Sequence, residues 1–179
     1  MKELKPAEDK SYTSTTDESG VICSVNEEFA KISGYSQEEL IGQSHNMLRH
    51  PDMPKIIYKI MWETIKDKKV FIGFIKNKTK DGDYYWMSQK IYLFSKGKGA
   101  KCNYISQKSP MSARAKHHIS ELYEKLIVEE YKGGVEASQK YLDEYLEYRG
   151  VSFNEYMETF ADAGGLLKVG FFMARKLLS

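Results

Sequence analysis

The sequence predicts an α+β fold: a five-stranded antiparallel sheet with short helices on one face, then a C-terminal helical extension. Three observations predict it. Short runs rich in β-branched and aromatic residues at 11–16 and 21–25 give way to helical periodicity through Ile65. From Val70 to Tyr104 the pattern returns to strands separated by turn signals. After Ser109-Pro110, apolar residues recur again at three and four positions. Strands joined by short turns form an antiparallel meander, and helices segregated from them fall on one face. The chain is therefore expected to hold a flexible arm at 1–10, a domain at 11–109 and a helical extension at 110–179.

Taken in order, residues 1–10 are polar and contain a proline. Ser11 to Thr16 reads as a strand, Asp17-Glu18-Ser19-Gly20 as a turn, and Val21 to Val25 as the returning strand. Asn26 stands where a helix begins and suits an N-cap, Phe29, Ile32 and Ser33 follow at helical spacing, and Gly34 ends the helix. Ser36 and Glu39 make a capping box for a second short helix that Gly42 closes. Ile56, Ile57, Ile60, Met61, Thr64 and Ile65 mark the strongest helix of the first half.

Val70 to Asn77 is a strand, and Asp81-Gly82 carries a hairpin signal. Asp83 to Phe94 is a long strand, the Gly-Lys tip at 96–101 turns the chain, and Cys102 to Gln107 is the last strand. In the extension, Ile119, Leu122, Tyr123, Leu126 and Ile127 share a face of a helix over 112–131. Lys132-Gly133-Gly134 breaks it. A second helix covers 135–149, and Ser152 with Glu155 caps a third. Gly164-Gly165 precedes an apolar end at 166–178 that carries Lys168, Arg175 and Lys176. That end is too short to span a bilayer. Packing on the protein itself or in a homodimer, docking on a partner helix and lying on a membrane surface are all open to it.

One stretch concentrates the chemistry. His45-Asn46-Met47-Leu48-Arg49-His50-Pro51-Asp52-Met53-Pro54 sets two histidines, an arginine, an aspartate and an amide between two helical patterns. The prolines disfavour helix at the residues before them and hold the segment open. Polar groups fixed on a stiff loop meet solvent, a partner or a ligand. Each residue also has a structural reading. Asn26 serves as an N-cap, Asp52 as a charge at a helix start, Arg49 with Asp52 as an ion pair, and His45 as a hydrogen-bonded histidine. Trp62 and Trp86 read as core, and His117-His118 as a solvated helix start. The tight clustering of the run favours a ligand pocket over these readings taken separately.

Composition excludes several classes. With 27 basic and 25 acidic residues the net charge is +2, which gives no footprint for nucleic acid. The two cysteines, Cys23 and Cys102, form no CxxC motif and have no histidine at metal spacing, so free thiols in a reducing compartment are expected. The first ten residues show no apolar signal-peptide region. No nucleophile–base pair stands out, so an enzyme is not expected.

Four strings resemble a PAS domain. They are Val25-Asn26-Glu27-Glu28-Phe29; Ser33-Gly34-Tyr35-Ser36 with Glu39-Leu40-Ile41-Gly42; the run His45 to Pro54; and Lys76-Asn77-Lys78 with Gly82-Asp83-Tyr84-Tyr85-Trp86. The third is similar in particular to the PAS sensors of Aer-type bacterial energy taxis, and the resemblance spans about Thr15 to about Gln107. It implies a PAS fold, non-covalent FAD, and relay of flavin redox state to chemotaxis signalling. Carried over by position, it implies cofactor-binding roles for Asn26, Arg49, His50, Asp52, Phe71 and Asn77. Phe71 stands where the family usually has Trp, which keeps a π face and loses the indole donor.

These residues suit a flavin. Arg49 offers a fixed fork of donors, His50 can follow charge near neutral pH, and Asn26 and Asn77 can read an imide edge. Asp52 is expected to orient Arg49 or His50. A haem gas sensor using His50 or His45 would use the same pocket, whereas a ligand-free interaction module would use only the sheet and the C-terminal helices for assembly. The absence of a cysteine in Asn46-Met47-Leu48-Arg49 argues against adduct photochemistry. The resemblance further implies a stand-alone, CetB-type arrangement in which a separate membrane-bound transducer, through its HAMP or signalling domain, is the partner. The expected location is the cytoplasm, with any membrane association indirect and peripheral to the inner face.

Overall fold

A computed structural model describes residues 1–94 and 102–161. The chain forms β1 (Tyr12–Thr16), β2 (Ile22–Val25), α1 (Glu27–Ser33), α2 (Gln37–Leu40), a 3-10 turn at His45–Leu48 and α3 (Lys55–Lys66). Then follow β3 (Phe71–Lys78), β4 (Tyr84–Leu93), β5 (Tyr104–Pro110), α4 (Ala113–Arg149) and α5 (Phe153–Ala161). The Gly-Lys tip at 96–101, the Gly164-Gly165 break and the apolar end at 166–178 lie outside the described residues.

The five strands pair antiparallel in the order β2-β1-β5-β4-β3, as the strand pattern predicts. The local signals hold. Asn26 Oδ1 accepts from Phe29 N at 3.1 Å, and Gly34 stops α1 with a φ of 75°. Ser36 and Glu39 complete their capping box. Fully buried Phe29, Leu40, Leu48, Tyr85 and Met87 form one apolar cluster beneath α1 and α2. Each of Phe29, Leu40, Leu48 and Met87 contributes about 1.5–3 kcal/mol by leaving water.

The extension lies on the opposite side of the sheet. Side chains alternate between faces along a strand. Trp86 and Phe74 therefore point away from Tyr85, Met87 and Ile75. Tyr123 of α4 packs on the Trp86 ring with centroids 6.0 Å apart and donates to the Phe74 carbonyl at 2.8 Å. The break expected at Gly133-Gly134 occurs inside α4, where both residues leave helical geometry and Gly134 has a φ of 71°. Past that kink α4 runs beside α3, and Gln139 Oε1 accepts from Lys59 Nζ at 3.3 Å. Just before it, Glu130 Oε1 accepts from Ile56 N at 2.9 Å. Pro54, at the N-cap of α3, makes no side-chain cap bond, so α4 supplies this one.

Within residues 1–10, expected to be a flexible arm, Lys2 to Leu4 pair with the start of β4 at Tyr84. Leu4 N donates to Tyr84 O at 2.7 Å, and Tyr84 N donates to Lys2 O at 3.0 Å. The β4–β5 pairing ends at Met87 and Pro110, so Tyr84 needs another backbone partner, and the arm provides it. The β3 edge of the sheet is covered too. His50 N donates to Lys76 O at 3.3 Å, and Asn154 Oδ1 and Nδ2 engage Ile72 N and Val70 O. Covering an edge in this way blocks its pairing with another chain.

Candidate functional site

A cavity of about 600 Å³, counting the part open to solvent, lies between the sheet and α3. The enclosed space within it is about 60 Å³, well below the range of small-molecule sites, about 300–1,000 Å³, so a bound ring would have to displace lining side chains. The helical periodicity of α3 turns Tyr58, Met61, Trp62 and Ile65 toward it. Strand alternation presents Ile75 and Asn77 from β3, Gln89 and Ile91 from β4, and Ser106 from β5. Ser14 and His45 complete one end, and Arg49 enters from the residue after the 3-10 turn.

The polar groups here are under-used. Asn77 is 2% exposed, and its Nδ2 completes no hydrogen bond. The buried hydroxyls of Tyr58 and Ser106 also lack partners. Each unsatisfied buried group costs about 1–3 kcal/mol, so three around one cavity mark a place where a ligand would restore the bonds. The Arg49 guanidinium carbon lies 3.7 Å from the centre of the Tyr58 ring. Burial holds its pKa below the ordinary arginine value. No carboxylate lines the cavity among the described residues. Its electrostatic character is cationic and hydrogen-bonding, with aromatic and aliphatic walls.

Of the six residues expected at a cofactor, the structure brings Arg49 and Asn77 together. They form an isolated backbone bridge, and both side chains line the cavity. The other four sit elsewhere. Asn26 is spent on structure, with Oδ1 accepting from Phe29 N and Thr13 N and Nδ2 donating to Ser11 O. Phe71 is buried outside the cavity, stacked on Phe153 with centroids 5.9 Å apart.

His50 is buried, with Nδ1 accepting from Asp52 N at 3.1 Å and the ring edge-on to Tyr84. Burial first, then the charge of Lys76, lowers its pKa. Asp52 does not orient Arg49 but lies against His50, its Oδ2 3.5 Å from Nδ1. It pairs with Lys76 at 2.8 Å, and that hydrogen bond holds its carboxyl below the usual range. The reason is topological: β3 carries Lys76 to the face opposite Asn77, and the loop turns Asp52 to the same side.

Other expectations shift as well. Trp62 lines the cavity, whereas Trp86 is core against Tyr123. His45 is a hydrogen-bonded histidine, 3.4 Å from Ser14 Oγ, and it also lines the cavity. Sequence reasoning missed Tyr58, Gln89, Ser106 and Lys108. The first three obey the helix and strand periods already found, so following those periods inward would have reached them. Lys108 gave no signal, because a lysine near a strand end reads as solvent-facing.

This architecture is a PAS fold, and residues 22–106 match the family model described by that name. Over 81 residues, 45% of this chain, it is 47% identical to the aerotaxis receptor of Escherichia coli (strain K12). It is 26% identical over 159 residues, 85% of the chain, to the nitrogen fixation regulatory protein of Klebsiella pneumoniae. The matches span 16% and 30% of those two proteins. Among solved structures, a light-oxygen-voltage domain studied with a flavin analogue aligns at a TM-score of 0.55 with 18% identity, over 65% of this chain and 89% of that one. The dark structure of the Aureochrome1 light-oxygen-voltage domain aligns at 0.52 with 23% identity, over 64% and 86%. Among the described residues no helix is long and apolar enough to cross a membrane.

Proposed function

We propose that this chain is a redox sensor that holds FAD non-covalently in the cavity and relays its redox state to a chemotaxis transducer, as in energy taxis. The carrying observation is the cationic cavity with three unbonded polar groups, Asn77 Nδ2, Tyr58 OH and Ser106 Oγ, and no lining carboxylate. That cavity lies in a domain related to an aerotaxis receptor. A flavin ring needs apolar walls and a few placed amides and donors, and these residues fit it. Bound, the flavin supplies reversible electron uptake.

The chain's own residues do the rest. Arg49 and Asn77 would hold the ring's polar edge, with Tyr58 fixing the Arg49 plane. Trp62, Met61 and Ile65 exclude water from one face. His50 and Asp52 act at one remove, by pinning the loop to β3 through Lys76. Asn26 sets the start of α1, and Phe71 sets the seat of α5 on the sheet. The route outward is α3 to α4, through Glu130 at the α3 N-terminus. A membrane-bound transducer or its signalling domain is the partner in this reading, with a homodimer as a second mode of assembly. The chain itself is not expected to catalyse a reaction.

The test is an absorbance spectrum of the purified protein. Bands near about 450 nm, the flavin region, support the reading. A Soret band would replace it with haem. A colourless protein that takes up no added FAD would sink it.

A further inference from the structure

Behind the cavity end formed by Ser14 and His45 lies a lysine that the functional reading does not use. Lys108 is 4% exposed. Its Nζ donates to Ser14 Oγ at 2.7 Å and stands 4.3 Å from the centre of the Phe29 ring. Ser14 Oγ is in turn 3.4 Å from His45 Nε2, and the His45 ring stacks on Phe29.

Among the described residues no acid pairs with this ammonium; Glu158 of α5 lines a groove together with Lys108 but forms no ion pair with it. β1 faces it with Tyr12 and Ser14, and the Tyr12 hydroxyl is engaged with Ala7. β4 presents Gln89 beside it. The 3-10 turn presents His45, and Arg49 contributes a second positive charge across the cavity. α1 presents Phe29, while its charged residues form surface pairs, Glu27 with Lys31 and Glu28 with Lys10. A buried ammonium with one hydroxyl partner and no counter-ion is costly unless it gives up its proton or gains an anion.

We propose that Lys108 is the proton-binding group of the cavity, neutral beside an uncharged ligand ring and protonated when that ring carries negative charge, with Ser14 and His45 as the polar path between them. This rests on the flavin reading above. Each electron delivered by an external low-potential donor adds one negative charge to the ring. The compensating proton comes from bulk water to Nζ, and no other bond forms or breaks. Burial lowers the Lys108 pKa to about 7, which places this exchange in the accessible range. Linkage is reciprocal, so protonated Lys108 favours the reduced ring by the same factor that reduction favours the proton.

The test is an NMR titration of ε-labelled lysines in the full chain: alone, with FAD, and with FAD reduced anaerobically by dithionite. One lysine resonance should titrate well below the others, and it should be missing from K108M. On reduction its midpoint should rise by about one unit or more, a tenfold gain in proton affinity. In parallel, the flavin potential should depend less on pH in K108M than in wild type. K108R, which keeps its charge throughout, should lose the same pH dependence while favouring the reduced ring. Lysines that all titrate together would overturn the proposal, as would a low-titrating lysine that ignores reduction of bound flavin. If no flavin binds yet one lysine still titrates low, the functional reading fails first and the coupling falls with it. The resonance tells the two failures apart.

Discussion

Arg49 places its guanidinium carbon 3.7 Å from the centre of the Tyr58 ring, and no carboxylate shares the contact. Arg49 ends the 3-10 turn, and Tyr58 lies in the first turns of α3. The pair therefore joins the loop to the helix along the wall of the cavity. A desolvated cation–π contact of this kind stabilises by about 0.5–2 kcal/mol.

The Tyr58 hydroxyl is buried and unbonded. Y58F keeps the ring under Arg49 and removes the unsatisfied group. The ligand-free protein is expected to gain about 0.5–1 kcal/mol in a urea melt, while FAD affinity falls. Loss of stability in the free protein would show that this hydroxyl is satisfied without a ligand.

Gly73 is a close approach rather than a turn. A Cβ added there would meet Phe71 Cζ at 2.5 Å, and that ring is held against Phe153. G73A is expected to cost about 1–3 kcal/mol by overpacking. The double variant G73A/F71L should recover part of the loss, and chemical denaturation of both gives the answer.

Acid should weaken the fold through His45. Burial, with the charges of Lys108 and Arg49 nearby, lowers its pKa to about 3, against about 6.5 in an unfolded chain. Above the unfolded value both states are neutral and the full stability is present. As pH falls below it, the unfolded chain takes a proton that the folded chain refuses. Stability is then lost at up to about 1.4 kcal/mol per pH unit until the folded value is reached. H45Q should flatten the curve between pH 6 and 4 relative to wild type (roughly the span between those two pKa values). Parallel curves would exclude His45 as the source.

Glu130 caps a helix it does not belong to. Its Oε1 takes the Ile56 N–H at 2.9 Å and a weaker bond from Ser138 Oγ at 3.3 Å. E130A should cost about 1–2 kcal/mol, in the range of lost caps. Hydrogen exchange should quicken at the start of α3 and around Gly133-Gly134 together. Faster exchange at α3 alone would show that the two elements are not coupled through this residue.

Much of the fold was legible in local sequence. Asn26, Gly34, the Ser36–Glu39 box and Asp81-Gly82 act through their own backbone neighbourhood, so their roles do not depend on distant partners. Arg49 and Asn77 were legible by resemblance, and the cavity contains both. His50 and Asp52 stand in the same dense run but face Lys76, because one residue of register along β3 separates Asn77 from the opposite face.

The sequence by itself determined the five strands, the short helices, the place of the α4 break and the loop that carries Arg49, because periodicity, caps and turn residues are local properties. Only the tertiary structure decided which of the polar residues share a cavity. It set the extension against the far face, pinned Lys2 to Leu4 to the start of β4, moved Phe71 onto Phe153 and buried Lys108 under Phe29. Those outcomes depend on which surfaces meet after the strands pair, and burial changes the chemistry of a lysine or histidine in ways that residue type alone does not specify.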